Sequence, residues 1–271
     1  MSVIRVRTGI SMNYELSGEG EPLLLVIGTS CTIPLWAGLL PELAQRYQVI
    51  TFDNRGLGGS ERGEGEISVA SLAEDASALL EALQIPKAHV LGWSLGSAIT
   101  QELAIMHPEQ VASTVLYATW ARTDGVQRSI FAAFHCAYAH NDLEAALAVT
   151  GLAFSPQMLD RPDFADLVAP FVPAFPQNEA QMAVTREQWE ADLAHDTLDR
   201  LPQIKVPSLV LVGEQDLLTP PSQSKAVADG IPGARYELFT GPGSSHALHF
   251  ERLDEFVDVT TTFLKENAMS G

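Results

Sequence analysis

Short apolar runs alternate along the chain with longer stretches of helical periodicity, separated by Gly, Pro and Ser. Residues 2 to 8 and 12 to 17 read as an antiparallel opening hairpin. Pro22 to Ile27 is a short, almost wholly aliphatic run, the pattern of a strand buried on both faces. Tyr47 to Phe52, Ala88 to Leu91, Val111 to Tyr117, Ser208 to Val212 and Arg235 to Phe239 follow in the same style. Between them, Ser68 to Leu83 sets Val69, Leu72, Ala76, Leu79 and Leu83 on one helical stripe. This alternation predicts the α/β class, with a mostly parallel eight-stranded sheet and helices on both faces.

The rhythm lapses between residues 121 and 200. That stretch reads as helices broken at Pro156, Pro162, Pro170, Pro173 and Pro176, and it gathers aromatic residues such as Phe131, Phe154, Phe171 and Phe175. It is expected to be a helical cap inserted into a core made of residues 1–120 and 201–271. A helix from about Pro221 to Asp229 and a closing helix from about Phe250 to Asn267 complete the core.

A chain of 271 residues, 46% of them hydrophobic, is large enough to bury a substantial core. Its 16 Lys and Arg against 34 Asp and Glu give a net charge of −18, which disfavours nucleic acid and anionic membranes as partners. Cys31 and Cys136 match no metal-ligand spacing and fit a reducing compartment as free thiols. The opening residues lack the apolar run of a signal peptide, and no window approaches 18 uninterrupted apolar residues, so a cytoplasmic location is expected. The sequence is compatible with a homo-oligomer.

The most informative stretch is Gly92-Trp93-Ser94-Leu95-Gly96, which follows a buried strand and opens an amphipathic helix. A sharp strand-to-helix turn strains the backbone at the serine and crowds the positions two before and two after it, where only glycine fits well. The turn lifts the hydroxyl above the sheet at a helix N-terminus, where unpaired amides favour developing negative charge. A serine hydroxyl needs a base within reach, itself held in one tautomer by a carboxylate, and in this arrangement acid and then histidine follow the serine. Asp216 stands just past a late strand, whereas Glu214 reads as a turn or surface acid. His246 sits in the Gly- and Ser-rich loop after the last strand and is the expected base. His249 reads as a structural or pocket residue, His89 and His107 as structural, and His135, His140 and His195 fall in the insertion. Two backbone N–H groups are expected to hold an oxyanion, that of Leu95 and one in the loop Gly28-Thr29-Ser30-Cys31, with Thr29 first and Ser30 the alternative. Trp93, Phe134, Tyr138 and Trp189 are the expected substrate-binding side chains.

These motifs resemble those of the α/β-hydrolase superfamily from about Arg5 to Leu264. Asp53-Asn-Arg-Gly-Leu-Gly-Gly-Ser60 is similar to its D-x-R-G-x-G-x-S turn, and Gly213 to Asp216 to its G-x-x-D acid loop. The segment from Pro207 to His246 further resembles enol-lactonases, cofactor-free haloperoxidases and polyketide methylesterases. Ile27 departs from the histidine that often begins the oxyanion loop. The resemblance implies the α/β-hydrolase fold with a helical cap, and a serine hydrolase acting on a small-molecule ester or lactone. Neither a metal-ligand cluster nor a phosphate-binding glycine loop is legible, so no cofactor and no metal is expected. Two other readings stand beside it: a lyase or C–C bond hydrolase using the same three residues, and a catalytically silent binding protein.

Overall fold

In a computed structural model that describes residues 2–269, eight strands form one sheet in the order β1-β2-β4-β3-β5-β6-β7-β8. They are β1 Ser2–Arg5, β2 Ser11–Ser17, β3 Glu21–Val26, β4 Tyr47–Phe52, β5 Ala88–Trp93, β6 Val111–Tyr117, β7 Ser208–Gly213 and β8 Arg235–Phe239. The β1–β2 and β2–β4 pairs are antiparallel and the rest are parallel. The expected sheet is therefore present, with β1 shorter than the sequence implied because the chain turns toward β2 at Arg7 and Thr8, where the Gly9 N–H donates to the Val6 carbonyl at 3.0 Å.

Side-chain alternation explains why the central strands are apolar throughout. In β3, Leu23 and Leu25 pack into one core cluster while Leu24 and Val26 pack into the other, on the opposite face. The helix Val69–Ala82 begins at Ser68, whose hydroxyl accepts from the Ser71 N–H while the Ser71 side chain accepts from the Ser68 N–H. Its apolar stripe lies in the same cluster as Leu24 and Val26.

Helices fill the chain between β6 and β7, chiefly Gly125–Ala139, Leu143–Thr150 and Glu179–Ala194, with two short ones, Pro156–Leu159 and Phe164–Val168. Asp124, Asp142, Ser155 and Asn178 each cap one of them by accepting a backbone N–H. The closing helix differs from the continuous one expected. It is split into Leu248–Glu251 and Leu253–Glu266, because Arg252 leaves helical geometry at φ −132° and ψ 44°. The Arg252 guanidinium meanwhile donates to the carbonyls of Thr240 and Pro242 in the preceding loop.

Candidate active site

Ser94 lies between β5 and the helix Leu95–Met106 with φ 56° and ψ −122°, a left-handed strain that a residue with a Cβ adopts only when its surroundings enforce it. The enforcement comes from two glycines. A Cβ on Gly92 would lie 2.1 Å from the Gly96 carbonyl oxygen, and one on Gly96 would lie 1.9 Å from that of Val26. Only backbone without side chains lets strand, turn and helix approach so closely. The result is a serine hydroxyl that is partly exposed above the sheet and lines a cavity of about 610 Å³.

His246 lines the same cavity. Its Nδ1 lies 3.0 and 2.9 Å from the two carboxylate oxygens of Asp216, and both residues are almost fully buried. Asp216 also accepts from the Leu218 and Thr219 N–H groups, each at 2.9 Å, and from the Thr219 hydroxyl at 2.8 Å. Those bonds fix the carboxylate's direction and, through it, the orientation of the His246 ring. The histidine loop is held from below as well. A Cβ on Gly213 would lie 2.1 Å from the Ser244 carbonyl oxygen, so the acid loop and the histidine loop touch backbone to backbone. Glu214, two residues before Asp216, is exposed and accepts from the Gly241 N–H at 3.0 Å.

The loop after β3 carries Thr29, Ser30 and Cys31 onto the cavity wall. The Ser30 N–H donates to Gln188 Oε1 at 2.9 Å. Burial pushes the Cys31 thiol up to about 12, a neutral group that lines the cavity. At the opposite end of this loop the Asp53 carboxylate accepts from the Ile33 N–H, the Gly59 N–H and the Asn13 side-chain amide. The D-x-R-G-x-G-x-S turn thus anchors the loop and makes no contact with the cavity.

Of the expected substrate-binding side chains, Trp93, Phe134 and Trp189 line the cavity, and the last two stack with centroids 4.5 Å apart. Tyr138 does not line it. Although one helical turn beyond Phe134, it is 1% exposed and belongs to the core cluster with Phe131 and Trp120. His135, His140 and His195 do not line the cavity either. The wall includes residues not singled out from the sequence, among them Leu147, Met158, Phe164, Leu167, Val172 and Phe250. No Asp, Glu, Lys or Arg lines it among the described residues. His249 is buried between Trp36, Trp93 and Phe250, and burial, reinforced by nearby His246, pushes it down to about 3, so it is neutral.

A family model described as the alpha/beta hydrolase fold matches residues 21–253. The provisionally named carbamate hydrolase RutD of Azorhizobium caulinodans is 34% identical over 225 residues, covering 82% of this chain and 83% of its own length. A pimeloyl-acyl-carrier-protein methyl ester esterase of Aeromonas hydrophila is 28% identical over 269 residues, covering 94% of this chain and all of its own, 100%. Among solved structures, the enol-lactonase from Burkholderia xenovorans LB400 matches with a TM-score of 0.87 at 26% identity, over 97% of this chain and 100% of that one. Among the described residues no helix is long and apolar enough to cross a membrane.

Proposed function

The chain belongs to the α/β-hydrolase fold family, and we propose that it is a serine hydrolase cleaving a carboxylic ester or lactone of a small to mid-sized apolar substrate through an acyl-enzyme on Ser94. The observation that carries this reading is the strained, partly exposed Ser94 on the wall of a cavity shared with His246, whose Nδ1 is held by Asp216.

In this mechanism His246 Nε2 takes the hydroxyl proton as Ser94 Oγ attacks the carbonyl carbon. The carbonyl oxygen becomes the oxyanion and is met by two backbone N–H groups. Leu95 supplies one, as the first residue of a helix whose opening amides have no partner within it. Thr29 supplies the other, a choice supported by the commitment of the Ser30 N–H to Gln188. His246 then protonates the departing alkoxide, leaving the acyl group on Ser94. Water attacks the acyl-enzyme with His246 again accepting a proton, and the serine is regenerated.

The cavity supports an uncharged substrate. A carboxylate or ammonium group enclosed there would lose its hydration with no countercharge on the wall, at a cost of several kcal/mol. Of the three relatives named above, two are by name a methyl ester esterase and an enol-lactonase, which agrees with acyl transfer at an ester or lactone carbonyl, and the third is by name a carbamate hydrolase. The insertion at residues 121–200, as a cap over the serine, would supply the selective surface.

The test is labelling by a fluorophosphonate followed by an ester and lactone panel read by intact-protein mass spectrometry. The expected result is one adduct on Ser94 and a transient acyl mass with good substrates. A folded protein that takes no adduct and turns over no ester or lactone overturns the proposal. Turnover that survives Ser94→Ala would point to base chemistry by His246 and Asp216 without acylation.

A further inference from the structure

The loop that follows β3 is bound to the insertion at three successive points. Thr29 Oγ1 donates to Asp192 Oδ2 at 2.6 Å, the Ser30 N–H donates to Gln188 Oε1 at 2.9 Å, and Thr32 Oγ1 donates to the Ala174 carbonyl at 2.8 Å. Gln188 and Asp192 lie one turn apart on the helix Glu179–Ala194, both with no exposed surface. A buried carboxyl and a buried amide are costly to place in an apolar insertion, and the hydrogen bonds to the loop offset part of that cost, at Asp192 Oδ2 and Gln188 Oε1.

The loop needs such support. Ser30 sits at φ 64°, in the left-handed region unfavourable to a residue with a Cβ. Its hydroxyl closes back on the Thr29 carbonyl at 2.5 Å, which makes the turn tight but does not fix its orientation relative to Ser94. Orientation comes from outside the loop: Asp53 holds the Ile33 end, and Gln188 and Asp192 hold the Thr29–Ser30 end.

We propose that Gln188 and Asp192 are positioning residues for the oxyanion hole, aiming the Thr29 peptide at the reacting carbonyl, so that the insertion contributes to the rate of acyl transfer as well as to substrate choice. This rests on the serine hydrolase reading given above. With the Ser30 N–H drawn toward Gln188 and the Thr29 hydroxyl drawn toward Asp192, the peptide linking Gly28 to Thr29 is left with its N–H as the donor for the substrate. Neither side chain lines the cavity, so neither is expected to change how a ground-state substrate fits.

The experiment compares Gln188→Met, which keeps the length and loses the acceptor, with Gln188→Glu, which keeps an acceptor oxygen, and with Asp192→Leu and Asp192→Asn. Each is measured for kcat, KM and affinity for a trifluoromethyl ketone, whose hemiketal oxygen occupies the oxyanion hole. For Gln188→Met and Asp192→Leu, kcat and trifluoromethyl ketone affinity should fall together by roughly 10- to 100-fold, with KM moving less than about 3-fold, as expected when a donor is displaced and no substrate contact is lost. Gln188→Glu and Asp192→Asn should recover most of the loss. Unchanged kcat and ketone affinity in folded variants, or a change confined to KM, would overturn the proposal. If Gln188→Met or Asp192→Leu does not fold, Thr29→Val removes the Asp192 bond from the loop side and is read in the same way. Failure of the parent protein itself to take a fluorophosphonate on Ser94 would instead overturn the serine hydrolase reading, so the two failures are distinct.

Discussion

The Trp93 indole N–H donates to the His246 carbonyl oxygen at 3.0 Å, so the residue directly before Ser94 grips the backbone of the loop that carries His246. Tyr117, at the end of the neighbouring strand, donates its hydroxyl to the same oxygen at 2.5 Å. Serine and histidine therefore ride on one bonded frame, although 152 positions separate them (246 less 94).

Trp93→Phe keeps a ring on the cavity wall and removes one of these two donors. It is expected to cost about 1 kcal/mol of stability, the usual net worth of a hydrogen bond, and to lower kcat because His246 gains freedom. Pairing it with Tyr117→Phe should cost more than the sum of the two, since the second loss leaves a buried carbonyl unmet. Urea denaturation and steady-state kinetics of the double-mutant cycle check this; additive effects would mean that the two donors do not share a task.

Ser94→Ala should abolish ester turnover down to the roughly 10³- to 10⁴-fold residual over water that binding and an oxyanion hole supply. The variant should stay folded, because the turn is shaped by Gly92 and Gly96 and alanine keeps the Cβ of the serine. Retention of near-normal kcat with an ester substrate would remove Ser94 from the mechanism.

The elbow was legible in the sequence because its requirements are local: two close backbone approaches demand Gly92 and Gly96, and no distant residue can substitute for them. The position of Asp216 was legible because it lies three residues past the wholly buried apolar run of β7, and that of His246 because it stands in the Gly- and Ser-rich loop after β8, although β8 itself carries Arg235 and Glu237 and is a weaker signal. The tethers of Gln188 and Asp192 were not, since the Ser30–Gln188 bond spans 158 residues and neither partner belongs to a motif. The cavity wall was only partly legible. Phe134 and Tyr138 are one turn apart and look equivalent by spacing, yet Phe134 lines the cavity and stacks on Trp189 while Tyr138, in the same core cluster, does not line it.

That difference makes a contrast that kinetics can read. Truncating Phe134 or Trp189 to Ala should change the ratio of kcat/KM between small and bulky acyl esters by about 1 to 3 kcal/mol, the range for lost apolar contacts, while a small fluorophosphonate still labels Ser94. Tyr138→Phe should leave the substrate ranking unchanged. If Tyr138→Phe reorders the substrates and Trp189→Ala does not, Tyr138 and not Trp189 faces the substrate.

Burial of Asp192 and of two histidines gives stability an opposite pH dependence on either side of about 6.5. Desolvation, partly offset by the Thr29 hydroxyl, raises Asp192 to about 8, so the native state keeps a proton that the unfolded chain has lost. The folded form thus binds more protons above the usual carboxylate range, and stability from this group declines as pH rises toward about 8. Desolvation lowers His195 to about 4 and His249 to about 3, and in these the folded form binds fewer protons than the unfolded one. Their contribution is intact above about 6.5 and is lost as pH falls. Between about 6.5 and 8 only Asp192 is changing among these three, so the parent is expected to lose about 1 kcal/mol per pH unit there and Asp192→Asn to flatten that loss. Below about 6.5 the two histidines outweigh the single carboxyl, and the parent should lose stability on acidification. Urea denaturation midpoints collected from pH 4.5 to 8.5 for the parent and Asp192→Asn test both limbs. A parent curve as flat as the variant's between pH 6.5 and 8 would mean that Asp192 is already ionised in the folded protein, with water or movement of the insertion relieving its burial.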